Sequence, residues 1–236
     1  MSRRSVVIDC FPETARRYAD AAVVAVDVIR ATTTAATAVV RGHRCFPVPS
    51  LEAAVPLAAR LDNPLLVGEL GGNMPYGFDL TNSPAAVDGL SDVGRPMILL
   101  STTGTKLIEE ARHAEATYIA CLRNHSAVAA HLSKFHGRVA IIGAGTRGEF
   151  REEDQLCCAW IAEGLINLGY EPERQDTLRL VERWSGVPPE EIAVSNSAEY
   201  LRRTGQVGDL EFILTHVDDV AAVFVLDGDE IVRTKP

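Results

Sequence analysis

The chain has 236 residues, 47% hydrophobic and 23% charged, with a formal net charge of −9. This is long enough for one large domain or two small ones and too apolar for a disordered or fibrous chain. Phosphate-backbone binding needs a clustered basic face, and no run of Lys or Arg supplies one, so nucleic acid is excluded as a partner.

The opening MSRRSVVIDCFPETA has two arginines but no apolar leader segment, and the apolar run before Asp27 is far shorter than a bilayer span. A cytoplasmic location and no membrane partner are therefore expected. Apolar strand candidates follow near residues 6–10, 22–28, 64–68, 96–101, 116–121 and 138–143. Helical periodicity is expected over 32–41, 50–61, 104–113, 124–135, 152–168 and 189–203. FVLDGDEIVRT reads as a C-terminal hairpin near 222–234, turning at Asp227-Gly228. The alternation predicts an α/β fold, a three-layer α/β/α arrangement on a largely parallel or mixed sheet, formed as a single domain over 1–236. Five cysteines, with Cys157 and Cys158 adjacent, do not make a C-x-x-C zinc clip and read as reduced, buried thiols.

In such sheets chemistry collects at the carboxyl ends of strands. After VVAV come Asp27, Arg30 and a helix opening with Thr32, Thr33 and Thr34. The aspartate suits a hard cation, while the arginine and helix N-terminus suit an anion. A threonine cap with an Asp27–Arg30 pair is the plainer alternative. LLVGELGGNMPYGFDLTNSP places Glu69 at a strand end, then Gly71, Gly72, Gly77, Asp79, Asn82 and Ser83. Its glycines allow close backbone approach to a ligand. MILLSTTGTK runs a strand into Ser101, Thr102, Thr103, Gly104 and Thr105, hydroxyls and N–H groups at a helix start, without Walker spacing.

The fourth loop, GAGTRGEFREEDQLCCAW, matches G-x-G-x-x-G at Gly143, Gly145 and Gly148. The following Glu149, Glu152, Glu153 and Asp154 would repel a bare pyrophosphate, while carboxylates suit magnesium. CFPETAR has the C-x5-R spacing of cysteine phosphatases but lacks their glycines, so Cys10 reads as structural and Arg16 as a surface residue. VDVIRAT departs from the haloacid-dehalogenase pattern at Ile29.

Taken together, VDVIRATTT, GELGGNMPYGFDLTNSP, STTGT and GAGTRGEFREEDQLCCAW resemble the 2-phosphosulfolactate phosphatase family, magnesium-dependent enzymes of coenzyme M biosynthesis, over roughly residues 5–165. The resemblance implies an α/β fold and hydrolysis of a phosphate monoester beside a sulfonate and a carboxylate. It implies Mg2+ held by Asp27, Glu69, Glu153 and Asp154, with Asp27, Glu69 and Asp154 catalytic. The substrate would meet Arg30, Thr32, Thr33, Gly71, Gly72, Asn82, Ser83, Ser101, Thr102, Thr103, Gly104, Thr105, Asn124 and Arg147. Lys106 and Arg123 are further cationic candidates. The expected partner is a small anionic phosphate ester and the expected assembly a homodimer.

Two departures from the family pattern stand out. Leu70 occupies a position where members commonly have Arg, and Thr103 runs directly into Gly104 without an intervening Asn. A phosphatase for another small phosphorylated hydroxy acid, and a non-catalytic nucleotide- or anion-binding protein built around Gly143, remain as alternative functions. Water attack and a phospho-aspartyl intermediate remain as alternative mechanisms.

Overall fold

Between Ala22 and Val26 there is no polar residue, and a strand without alternation is one buried on both faces. In the structure, a computed structural model that describes residues 4–234, this strand lies inside the sheet with all five residues buried. The elements run β1 (Ser5–Cys10), β2 (Ala22–Val26), α1 (Ala31–Arg41), β3 (Cys45–Val48), α2 (Leu51–Ala58), β4 (Leu65–Gly68), α3 (Pro84–Asp88), β5 (Met97–Leu100), α4 (Gly104–Glu110), β6 (Ala116–Ala120), α5 (His125–Phe135), β7 (Arg138–Gly143), α6 (Glu152–Asn167), β8 (Glu171–Pro172), α7 (Gln175–Trp184), α8 (Asn196–Arg203), α9 (Val207–Thr215), β9 (Phe224–Asp227) and β10 (Glu230–Arg233). A 3-10 turn over Pro12–Tyr18 follows β1.

All ten strands join one mixed sheet in the order β4-β5-β3-β10-β9-β6-β2-β7-β1-β8. The strands β4, β5 and β3 are mutually parallel, as are β6, β2, β7, β1 and β8. The C-terminal hairpin β9–β10 joins the two blocks by antiparallel pairing on both sides, so the blocks run in opposite directions. A twist of about −20 to −25° per step accumulates to roughly 100–125° over the five steps from β2 to β5. A turn of that size would swing carboxyl ends that face opposite edges of a flat sheet toward the same side.

Helices cover both faces. Val24, Val139 and Ile141 pack under Leu132 of α5, Leu156 and Ile161 of α6 and Trp184 of α7. Val23, Ala25 and Ala140 face Ala35 of α1 and Leu107 of α4. At the other end of the sheet, Phe46, Ile98 and Leu100 pack under Ala54 and Leu57 of α2. This is the expected three-layer α/β/α arrangement. Among the described residues no helix is long and apolar enough to cross a membrane.

Several elements depart from the sequence expectation. The strand β3 contains Pro47, which reads against a strand interior. It is accommodated because pairing with β10 is confined to Cys45 and Ile231, while the other side of β3 follows β5 throughout. The helix expected over 189–203 is divided at Ser195, whose Oγ accepts from Ala198 N–H and caps α8; the preceding Pro189–Val194 forms a 3-10 turn. Helices α7 and α9 occupy stretches without a helical expectation. Helix α7 is strongly charged and buries only Thr177, Val181 and Trp184, a narrow stripe with nothing before it but the two-residue β8.

Candidate active site

The threonines after Asp27 build the turn. Asp27 N–H donates to Thr32 Oγ1 at 2.9 Å, and the same hydroxyl donates to the Asp27 carbonyl at 2.9 Å. Thr33 and Thr34 donate to the carbonyls of Val28 and Arg30 at 2.8 and 3.1 Å. A short hydroxyl side chain in a first helical turn can satisfy backbone groups that the strand-to-helix transition leaves unpaired. The device recurs at β5: Ser101 N–H donates to Thr105 Oγ1 and Thr105 donates back to the Ser101 carbonyl, both at 2.9 Å. At β6 it is Asn124, whose Oδ1 accepts from Cys121 N–H while Nδ2 donates to the carbonyls of Ile119 and Ala222. The side-chain hydrogens of Thr32, Thr33, Thr105 and Asn124 are thus taken up by backbone.

The β2 and β5 ends meet. A Cβ on Gly104 would lie 2.2 Å from Asp27 Oδ2 and 2.5 Å from the Ala31 Cβ, so only glycine lets the start of α4 rest against the carboxylate and the start of α1. Gly104 N–H donates to Ser101 Oγ at 3.3 Å. The third loop joins through Glu69, which accepts from Thr102 N–H at 2.7 Å and from Thr102 Oγ1 and Gly72 N–H at 2.8 Å. Gly71 and Gly72, both at positive φ, form a two-residue turn closed by Leu70 and Asn73. From α8, Tyr200 donates to the Gly72 carbonyl at 2.7 Å. Asp79 holds Leu66 N–H and Arg95 away from this cluster.

The fourth loop joins through Asp154, whose Oδ1 accepts from Val28 N–H at 2.8 Å. Arg30, also buried, bonds through Nη1 to Asp209 at 2.5 Å and to Gln206, both contributed by the start of α9. Asp209 also accepts from Ser83 Oγ–H. The neighbouring Asn82 is buried with its Oδ1 unpaired. Arg123 is committed to Asp219 and Thr37. Arg147 is exposed in a two-residue turn closed by Thr146 and Glu149, and Lys106 is exposed on α4. The structure therefore brings together Asp27, Arg30, Glu69, Gly72, Ser83, Ser101 to Gly104, Glu153 and Asp154, and leaves Arg147 exposed and bonded to none of them. Tyr200, Gln206 and Asp209 escape sequence reasoning, because α8 and α9 lie outside the loops that follow sequence-visible strands.

The sequence profile described as 2-phosphosulpholactate phosphatase matches residues 10–229. The chain belongs to this family. A Thermus thermophilus protein named probable 2-phosphosulfolactate phosphatase is 37% identical over 227 residues, covering 94% of each chain. A protein of the same name from Carboxydothermus hydrogenoformans is 35% identical over 204 residues, 86% of this chain and 85% of the relative. One from Deinococcus radiodurans is 35% identical over 214 residues, covering 87% and 86%.

For a member of the 2-phosphosulpholactate phosphatase family the glycine motif at Gly143 acquires a packing explanation. A Cβ at Gly143 would meet the Phe150 ring at 2.4 Å, and one at Gly145 would meet the Phe11 ring at 2.8 Å, so aromatic rings fill the positions a pyrophosphate would need. All five cysteines are free and buried, with Arg16 exposed and paired to Glu110, so the C-x5-R spacing has no phosphate cradle behind it.

The carboxylates repel one another. Burial first, then Glu69 and Glu153, pushes Asp27 up to about 7, against the pull of the Ala31 N–H and Arg30. Burial, then Asp27 and Glu153, holds Asp154 well above the ordinary range. Burial also raises Glu153, opposed by hydrogen bonds from Ser197 and Ser195, and its Oε2 has no partner. Buried negative charge in excess of cations, with an orphaned carboxylate oxygen, suits a hard divalent ion. Among the described residues no three His, Cys, Asp or Glu side chains are grouped to hold a metal by themselves. Magnesium is commonly bound by one or two carboxylates with water and substrate oxygens completing its shell, a demand this donor set meets.

Proposed function

We propose that the protein is a magnesium-dependent phosphatase that hydrolyses 2-phosphosulfolactate to sulfolactate and phosphate. The observation that carries this reading is the contact of Gly104 with the Asp27 carboxylate, which puts two helix N-termini on either side of one buried acid. Asp27 and Glu69, with Asp154 and Glu153 behind them, would hold the cation, whose charge would polarise the phosphoryl group.

The chain's own groups account for the remainder. The Thr103 hydroxyl, which is unbonded among the described residues, would stabilise charge that develops on phosphoryl oxygens, whereas the Ala31, Thr32 and Gly104 N–H groups at the starts of α1 and α4 are already given to Asp27 and Ser101. Arg30 offers Nε and Nη2 to a carboxylate, sulfonate or phosphate. In the metal-free site Asp27 titrates at about 7; a bound cation would hold it ionised, and its carboxylate oxygen would orient an attacking water. A phospho-aspartyl route through the same oxygen is the rival, distinguished by trapping an acyl phosphate.

A second reading, hydrolysis of another small phosphorylated hydroxy acid, is favoured by Leu70, 36% exposed beside Glu69 where the family commonly offers a cation. Phosphate release from a panel of phosphorylated hydroxy acids, with magnesium and with chelator, tests both. The first reading expects 2-phosphosulfolactate to be the best substrate and chelator to abolish turnover. Turnover undiminished in metal-free protein would refute the magnesium dependence, and preference for another ester would move the assignment to the second reading.

A further inference from the structure

Asp209 stands in the first turn of α9, and nothing in VGDLEF marks it out. Its carboxylate is buried and binds two segments that are distant in sequence, one at Arg30 and one at Ser83 and Ala85. Oδ2 accepts from Arg30 Nη1 at 2.5 Å, while Oδ1 accepts from Ser83 Oγ–H at 2.5 Å and from Ala85 N–H at 3.2 Å. Gln206 Oε1 accepts from the same Nη1, and Gln206 Nε2 is fixed by donating to Thr204 Oγ1 at 2.7 Å.

A guanidinium carries five N–H donors in a rigid plane. Here both hydrogens of Nη1 are taken, whereas Nε and Nη2 bond to nothing among the described residues and are not among the polar atoms sealed away from solvent. One corner of the plane is clamped and the opposite edge is unpaired, on a side chain that is 4% exposed. Arg30 is also three residues from Asp27, on the turn that presents that acid. A clamp serving only to neutralise a buried charge would favour pairing along the guanidinium edge, as Arg123 does with both oxygens of Asp219. The single-corner clamp at Arg30 leaves the paired donors Nε and Nη2 free for a planar or tetrahedral anion.

We propose that Asp209 is a positioning residue, aiming the unpaired edge of Arg30 at an anionic group of the substrate and tying the Asn82–Ser83 segment to the same point. The proposal rests on reading the site as one that binds a phosphorylated acid.

The test combines steady-state kinetics on 2-phosphosulfolactate with calorimetric binding of orthophosphate, for wild type, Asp209→Asn, Arg30→Met and the double variant, each checked by thermal melting. Asp209→Asn is expected to raise KM and weaken orthophosphate binding about tenfold or more, with kcat within about threefold of wild type. In the Arg30→Met background the same substitution should add less than about twofold, because its effect acts through the arginine. A merely structural residue would instead lower the folded fraction at unchanged KM. Unchanged KM and orthophosphate affinity, or full additivity with Arg30→Met, would overturn the proposal. If Asp209→Asn does not fold, Asp209→Glu, which keeps the charge and displaces it by one methylene, must raise KM at native melting temperature or the proposal fails. If wild type does not hydrolyse 2-phosphosulfolactate, the functional reading falls and orthophosphate binding alone decides the role of Asp209. Absence of both activities in wild type overturns both.

Discussion

Burial of Asp27 makes an acid that titrates near neutrality, and it also makes stability depend on pH. The folded-state value of about 7 lies above the ordinary 3.8, so the stabilising contribution of Asp27 is fully present below about pH 4 and is lost as pH rises to about 7. A tenfold difference in proton affinity between folded and unfolded chains is worth roughly 1.4 kcal/mol. In metal-free protein, Asp27→Asn should therefore melt above wild type at pH 8, with the gap closing toward pH 4. A gap independent of pH would contradict the burial account. Gly104 supplies a second test at this scale. A methyl there must displace Asp27 or Ala31, which is expected to cost about 1–3 kcal/mol by overpacking and, through misplacement of the carboxylate, about 100-fold in kcat. Wild-type kcat in Gly104→Ala would remove Asp27 from the chemistry.

The strand-to-helix corners are built by side chains that serve backbone on both sides, and this predicts which hydroxyls stability depends on. Thr105→Val leaves the Ser101 N–H and carbonyl without their buried partner and should cost about 1–3 kcal/mol in urea unfolding. Thr103→Val, which removes a hydroxyl unbonded among the described residues, should change stability by less than about 0.5 kcal/mol while slowing turnover. Equal losses of stability in the two variants would contradict this division. Thr32, Thr105 and Asn124, four to six residues beyond buried strands, are legible in the sequence as polar corner residues, though not as groups given to the backbone. The far wall is not. Asp209 and Tyr200 sit on short helices whose strongest interactions are with loops more than a hundred residues away, and local periodicity carries no trace of those contacts. The family resemblance implies Thr32 and Thr33 as substrate contacts; in the structure their hydroxyl hydrogens, like that of Thr34, are given to carbonyls, because a turn that ends a fully buried strand is satisfied internally.

At the scale of the whole molecule, the site exists because two parallel blocks of opposite direction are joined by the C-terminal hairpin and twisted until their ends converge. Phe224, fully buried in β9, sits in that junction, so Phe224→Ala should cost about 3–5 kcal/mol and make activity and tryptophan fluorescence disappear in one urea transition at lower denaturant. Separate transitions would show that the blocks fold independently. The proposed site gathers strand ends from both blocks at Asp27 to hydrolyse a phosphate ester. Its most direct test is the rate of phosphate release from 2-phosphosulfolactate in saturating magnesium by wild type and by Asp27→Asn of matched fold. Wild type is expected to turn over and the variant to lose about 100-fold or more; equal rates in the two proteins would remove Asp27 from the reaction.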